Sequence, residues 1–276
     1  MSQPQTPGRL TTKQLETYHQ EGFIVYDKPI FPENKFEGLK NHFESKLAAL
    51  PADERPEAMD TPHFIDPALF EWIFSDEILD LVEPILGPDI SLFSTHFICK
   101  PRGNGKRVPW HEDGYYWKGM LDPMEVATVW LAVDPSILEN GCMYAVPKSH
   151  RDAKMKRRTE GLPYHDISLD TNVFPEEIKK EAFTEDDAVP CILHPNHASL
   201  HDAYTIHGSA PNTSERRRCG YTMRFMKSAT RLNPEMFNVH NIYLARGKDP
   251  GVNKLSDPSR SYAEIFNQRK SGKSVH

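Results

Sequence analysis

Trp110-His111-Glu112-Asp113-Gly114 sets an imidazole and a carboxylate two residues apart. In an extended chain alternate side chains share a face, so His111 and Asp113 converge on one point while Glu112 turns away. One more imidazole would complete the two-histidine, one-carboxylate set that holds iron(II) and leaves positions for oxygen and a chelating co-substrate. His207-Gly208-Ser209-Ala210-Pro211-Asn212, 96 residues downstream of His111, follows a strand-like run and offers it. Arg216, Arg217 and Arg218 come next, at the start of another strand. A buried guanidinium stays charged and grips a carboxylate through two parallel hydrogen bonds, which suits the far carboxylate of 2-oxoglutarate. One of the three arginines is expected in that role and the other two in a solvated turn.

The remaining chemistry-bearing residues are weaker. Of the 13 histidines, His194, His197 and His201 lie near the second segment. No cysteine pair or HExxH accompanies them, which disfavours a zinc site. His150 reads as a hydrogen-bonding residue at a turn or sheet end. Gly103-Asn104-Gly105-Lys106 lacks the spacing of a phosphate loop and reads as a hairpin turn. Trp110, Tyr115, Tyr116 and Trp117 flank the first segment and read equally as the wall of a substrate pocket, with Phe225 near the same cavity, or, for Tyr115, Tyr116 and Trp117, as core aromatics.

Positioning such residues requires strands. The first third of the chain reads as a helical shell, roughly residues 10–88. Thr11 and Gln14 suit a capping box, and Gly22 a stop before the strand Phe23-Ile24-Val25-Tyr26. Phe36, Leu39, Phe43 and Leu47 recur at helical spacing, and Asp76 opens a second helical run closed by Gly87. Pro51 to Pro62, between them, reads as a polar surface loop. From Ile90 the chain turns to β-branched and aromatic runs punctuated by Asn104-Gly105, Asn140-Gly141 and Pro211-Asn212. Strands are expected over Ile90–Cys99, Val126–Val133, Cys142–Val146, Ala198–Ile206 and Cys219–Met226. The charged stretch Lys154 to Asp187 reads as a surface excursion or lid. The pattern predicts a mainly β protein, a double-stranded β-helix or jelly roll of cupin type, in one domain spanning 1–276. Its core would run roughly 90–230, with 231–276 as a C-terminal extension.

The chain's 276 residues, 38% of them hydrophobic, suffice for a sizeable core. A net charge of −6 without a basic face disfavours nucleic acid as partner. No run approaches membrane-spanning length, and Met1 to Arg9 lacks a signal-peptide core. The four cysteines, Cys99, Cys142, Cys191 and Cys219, form no CxxC pair, which favours reduced thiols and a cytoplasmic setting. The chain is expected to be a monomer or homodimer acting on a small molecule.

These motifs, in order, resemble the phytanoyl-CoA dioxygenase-like oxygenases, a family that includes ectoine hydroxylase and many natural-product oxygenases of secondary metabolism. The resemblance runs from about Leu10 to Met226. It rests on Gly22-Phe23, His111-Glu112-Asp113, Val129-Trp130-Leu131-Ala132-Val133, Asn140-Gly141-Cys142 through Pro147-Lys148-Ser149-His150, and His207-Gly208-Ser209-Ala210-Pro211-Asn212. It implies an Fe(II)-, 2-oxoglutarate- and O2-dependent dioxygenase with His111, Asp113 and His207 as catalytic iron ligands. The family's co-substrate arginine stands eleven residues after the second histidine, which selects Arg218. Ser209 would bond the same carboxylate, and Trp130 matches a tryptophan that can line the pocket, with core packing as its equal alternative. With Asp113 present no ligand site is open to halide, so hydroxylation is favoured over halogenation, with desaturation, epoxidation and ring formation open to the same ligands. The alternatives are a non-catalytic jelly-roll binding protein and an acyl-CoA hydroxylase of the phytanoyl-CoA type, for which Lys154, Lys156, Arg157 and Arg158 would supply a basic rim. The sequence departs from the family where Pro195-Asn196-His197 replaces a Gly-Asp turn, and where Lys148 replaces a glycine.

Overall fold

Helix α1 (Thr12–Glu21) starts at the signal the sequence carries. The Gln14 N–H donates to Thr11 Oγ1 (3.1 Å), the Thr11 N–H donates to Gln14 Oε1 (2.9 Å), and Gly22 ends the helix at φ 87°. The computed structural model describes residues 10–152, 161–236 and 239–268. Helices α2 (Glu33–Ala48) and α3 (Asp76–Leu86) bury one face each, including Phe36, Leu39 and Phe43 of α2 and Ile78, Leu81 and Val82 of α3. Phe43 is fully buried, which is worth about 1.5–3 kcal/mol for a side chain of that kind.

Ten strands frame the interior: β1 (Phe23–Tyr26), β2 (Ile90–Lys100), β3 (Val108–His111), β4 (Val126–Ala132), β5 (Met143–Ala145), β6 (Val189–Pro190), β7 (Ala198–Asp202), β8 (His207–Ser209), β9 (Arg218–Lys227) and β10 (Tyr243–Arg246). They form two antiparallel sheets, in the orders β1-β7-β4-β9-β2-β10 and β6-β5-β8-β3. The pocket between them draws its lining from both sheets, the arrangement expected of a jelly roll. Strand parity decides which side chains reach it. Along β9, Cys219, Tyr221, Met223 and Phe225 join the core under the helices, while Arg218, Thr222 and Arg224 line the pocket. Phe225 is therefore on the opposite face from the cavity it was expected to border.

Three other expectations are corrected. The run Ala198–Ile206 is not one strand: β7 stops at Asp202, a turn follows, and His207 opens β8 in the other sheet. The Thr205 hydroxyl, donating to Gly22 O at 2.7 Å, fixes that turn. Pro51 to Pro62 is not a plain surface loop, because Met59–Asp60 pairs with β2 and Glu57 is 2% exposed, its carboxylate held by Arg55 and the Lys106 N–H. The C-terminal stretch contributes one strand to the sheet, since β10 pairs with β2 from Tyr243↔Leu92 onward. Within the charged stretch, residues 153–160 lie outside the described residues, and with them Lys154, Lys156, Arg157 and Arg158. The rest forms a ribbon, Tyr164–Asp166 against Glu176–Ile178, whose Glu177 is buried and ion-paired to Arg107 (2.5 Å). Among the described residues no helix is long and apolar enough to cross a membrane.

Candidate active site

His111 is the last residue of β3, Glu112 continues the extended chain at φ −114°, ψ 135°, and Asp113 begins a short helical turn, Asp113–Tyr116. Parity therefore carries through Glu112, and His111 and Asp113 share a side although only the first is in a strand. His207 arrives from β8, paired directly with His111, and the two rings lie 4.2 Å apart. One ligand atom each from His111, Asp113 and His207 lies within 4.8 Å of the others, all three residues being buried. Among the described residues no other three histidine, cysteine or carboxylate groups are brought together in this way. His194 and His197 instead pair with one another at the surface end of their turn.

The donor set fits a divalent transition metal. His111 Nδ1 is 2.7 Å from Pro109 O, and His207 Nδ1 is 2.9 Å from Thr205 O. A carbonyl only accepts, so Nδ1 carries the proton in both rings and Nε2 keeps its lone pair for a metal, the outer arrangement usual for ligating histidines. Burial lowers the pKa of His111 and lowers that of His207 further, so both stay neutral, as ligands must be. Burial pushes the Asp113 carboxyl up, but Arg224 and the imidazoles of His201 and His207 overcome it and hold it well below the usual range. Its oxygens are already sorted: Thr128 Oγ1 donates to Oδ2 (3.3 Å), with His201 Nε2 (3.5 Å) and Arg224 Nε (3.6 Å) beside it, while Oδ1 lies 3.8 Å from His111 Nε2. His201 thus sits against the triad rather than in a separate zinc site.

At the other end of the pocket lies Arg218, and a second buried basic residue, Lys100, stands behind it against Ser209 of the lining. Arg218 is 1% exposed, and its Nη1 donates to Gly141 O (3.0 Å) at the tip of the Asn140-Gly141 turn. Its guanidinium lies 5.2 Å from the Trp130 ring, which fills the space a side chain at position 220 would need, so Gly220 and Trp130 are matched. Directly across the sheet from Arg218 is Lys100, fully buried, its Nζ donating to Ser209 Oγ (2.6 Å) and Ala210 O (2.5 Å). Among the described residues neither cation is ion-paired to a carboxylate, and Arg218 Nε has no hydrogen-bond partner. Burial, then Arg218, depresses the Lys100 pKa strongly, and burial brings Arg218 down to about 10. Two unneutralised buried cations beside a hydroxyl are costly unless an anion joins them, and a carboxylate suits both. Arg218, Ser209 and Trp130 are thus brought together as expected, and Lys100 is the partner sequence reasoning missed. Its only signal is a lysine ending an otherwise half-apolar strand.

Arg216 is exposed, but Arg217 is not at a solvated turn: it holds Asp134 (2.7 Å) and Glu44 in bidentate pairs outside the pocket. Of the aromatic wall, Tyr116 and Phe174 lie against His111 at 5.8 and 5.1 Å between ring centroids. Tyr115 stacks on Tyr164 instead, Trp110 packs on Phe183, and Trp117 packs on Phe93. Phe174, from the charged stretch, was not foreseen. The family departures leave the backbone able to do the same work. Asn196 and Lys148, each standing where a glycine or Gly-Asp turn was expected, both take φ 66°; asparagine tolerates this region well, whereas lysine adopts it at some strain. His150 Nε2 meets His19 O at 3.2 Å, a hydrogen bond as expected, though from the short helix Ser149–Asp152 to α1 rather than at a turn or sheet end.

Residues 18–220 match the family described as phytanoyl-CoA dioxygenase (PhyH). A phytanoyl-CoA dioxygenase domain-containing protein 1 homolog of Dictyostelium discoideum is 27% identical over 170 residues, 60% of this chain and 57% of that protein. A probable alpha-ketoglutarate-dependent hypophosphite dioxygenase of Stutzerimonas stutzeri is 27% identical over 164 residues, 58% of this chain and 53% of that protein. The match therefore spans little more than half the length of these relatives. Among solved structures, the non-heme monooxygenase ThoJ in its apo form is similar with a TM-score of 0.72 at 22% identity, covering 95% of each chain.

Proposed function

The chain belongs to the phytanoyl-CoA dioxygenase family, and on that premise we propose that it is an iron(II)- and 2-oxoglutarate-dependent dioxygenase that oxidises a small molecule. The observation that carries this reading is one pocket with two chemistries at its ends. His111, Asp113 and His207 offer a neutral-imidazole and carboxylate set at one end, and Lys100, Arg218 and Ser209 offer a site for a carboxylate at the other. His111, Asp113 and His207 would hold the iron, and Lys100 and Arg218 the far carboxylate of 2-oxoglutarate. When bound, iron(II) and 2-oxoglutarate supply oxidising power from dioxygen, with succinate and carbon dioxide as products beside the oxidised substrate.

This chain's own residues bind, orient and exclude water. Pro109 and Thr205 carbonyls hold the imidazole tautomers, and Thr128 and His201 hold the outer oxygen of Asp113. Phe174 and Tyr116 pack against His111 and would meet the substrate there. That packing favours a partly apolar small molecule over an acyl-CoA, whose phosphates would need a basic rim. Hydroxylation in a cytoplasmic monomer or homodimer is the form of the reading we carry forward.

The test is succinate formation from 2-oxoglutarate, with iron(II) titrated, over a panel of aromatic metabolites, acyl-CoAs and small amino-acid derivatives. Iron-dependent turnover that Asp113→Ala abolishes, with the circular dichroism unchanged, is expected. Ligand binding with no iron dependence and no succinate would leave a non-catalytic binding protein instead.

A further inference from the structure

Arg224 enters the reading above only as a charge beside Asp113, yet it is 9% exposed and borders the same pocket. It shares the face of β9 with Arg218, six residues further on, about 20 Å along the strand. Its guanidinium lies over the Trp117 ring at 5.5 Å, which fixes its plane. Among the described residues its only ion pair is with Asp113, at 3.6 Å, and its Nε has no hydrogen-bond partner. The groups opposite it in the sheet, Ser94 and Thr128, are uncharged.

The simplest role for Arg224 is counter-ion to Asp113. That role leaves much of the guanidinium idle. Asp113 Oδ2 already has Thr128 and His201 beside it, and a bound metal would take the carboxylate's charge. A divalent metal and a dianionic co-substrate cancel one another, which leaves Lys100, Arg218 and Arg224 facing Asp113 alone. The pocket then lacks an anion. The co-substrate's far carboxylate is provided for at Lys100 and Arg218, whereas Arg224 stands beside Asp113, six residues along β9 from Arg218.

We propose that Arg224 is a second anion-binding residue of the pocket, which takes an oxyanion of the substrate, so that the oxidised small molecule is a carboxylate or phosphonate with an apolar body. This rests on the oxygenase reading and specifies its substrate class. The guanidinium would bind the oxyanion through its Nη pair, and Phe174 and Tyr116 would cover the apolar part above His111.

The test is calorimetry on the full chain loaded with Mn(II), which does not turn over, and 2-oxoglutarate. Phenylacetate and phenylphosphonate are compared with the neutral phenylacetamide. The anions should bind about tenfold or more tightly than the amide. Arg224→Met, of similar length, should erase that preference and Arg224→Lys should keep part of it, with 2-oxoglutarate affinity changed less than about threefold in either. No anion preference in the parent chain, or an undiminished one in Arg224→Met, overturns the proposal. A loss of 2-oxoglutarate affinity in Arg224→Met as large as that of Arg218→Met also overturns it, and assigns the residue to the co-substrate. Mn(II) and 2-oxoglutarate binding are read first in the same cell. Their absence would sink the oxygenase reading, while the difference in anion preference between the unloaded parent and unloaded Arg224→Met still decides Arg224.

Discussion

Replacing Lys100 with methionine should weaken 2-oxoglutarate binding severely while leaving the ligand-free fold as stable as before or more so. The side chain is fully buried, opposite Arg218, with no carboxylate paired to it among the described residues. In the empty pocket it therefore carries the cost of desolvation and of a like charge, which is why its pKa is strongly depressed. Methionine has a similar reach without the charge. Against that gain stand the hydrogen bonds to Ser209 Oγ and Ala210 O, each worth about 1 kcal/mol. With the dicarboxylate bound the balance reverses, because truncating one partner of a buried charge pair costs about 2–5 kcal/mol, roughly 30-fold or more in Kd. Titration calorimetry with Mn(II) and 2-oxoglutarate reads the affinity, and thermal denaturation of the unloaded protein reads the stability. The parent's stability should also rise with pH between the depressed Lys100 pKa and the ordinary lysine value of 10.5, since the unfolded chain binds more protons there, and the variant should lose that slope. A 2-oxoglutarate Kd within threefold of the parent's, together with a marked fall in the denaturation midpoint, would make Lys100 a strut and refute the reasoning.

Arg217→Ala should cost about 1–2 kcal/mol of stability by stranding the half-buried pairs to Asp134 and Glu44, without moving 2-oxoglutarate affinity, whereas Arg218→Ala should do the reverse. Denaturant melts and calorimetry on the two variants settle which of the neighbouring arginines faces the pocket. In the metal-free protein the lowered pKa values of His111 and His207 mean that the unfolded chain binds more protons below about pH 6.5, so stability should fall as the pH drops through that value towards their folded pKa values. Zn(II) or Mn(II) should deepen that dependence, because protons and metal compete for the same nitrogens; a flat profile from pH 7 to 5 would mean that the imidazoles are not the ones bound. Glu177→Gln should loosen the ribbon that carries Phe174, since it breaks the bidentate pair to Arg107 and weakens the acceptor of the Trp110 N–H. Hydrogen exchange over 162–188 should speed up, corresponding to a fall of about 1–3 kcal/mol in opening free energy, and unchanged protection would show that the ribbon is held elsewhere.

What could be read from the sequence was local. The capping box at Thr11, the stop at Gly22 and the helical spacing of Phe36, Leu39 and Phe43 each depend on neighbours within a few residues, and the structure keeps them all. His111 and Asp113 were legible for the same reason, since an extended Glu112 alone makes them share a side. Their meeting with His207 was legible only through the family's ordered motifs, because it depends on β8 pairing with β3 across 96 residues. Lys100 and Arg224 were missed because their role depends on register between β2, β9 and the pocket, which no local pattern encodes. The turn after Asp202 was missed because Ala203-Tyr204-Thr205-Ile206 has strand-like residues; tertiary bonds such as Thr205 to Gly22 override that propensity.

The most direct test of the central claim is an anaerobic crystal structure of the full chain with iron(II) and 2-oxoglutarate. It should show iron bound by His111 Nε2, His207 Nε2 and the Asp113 carboxylate, with the far carboxylate of 2-oxoglutarate between Lys100 and Arg218. Iron bound by other residues, or a 2-oxoglutarate whose carboxylate leaves Lys100 and Arg218 unpaired, would contradict it.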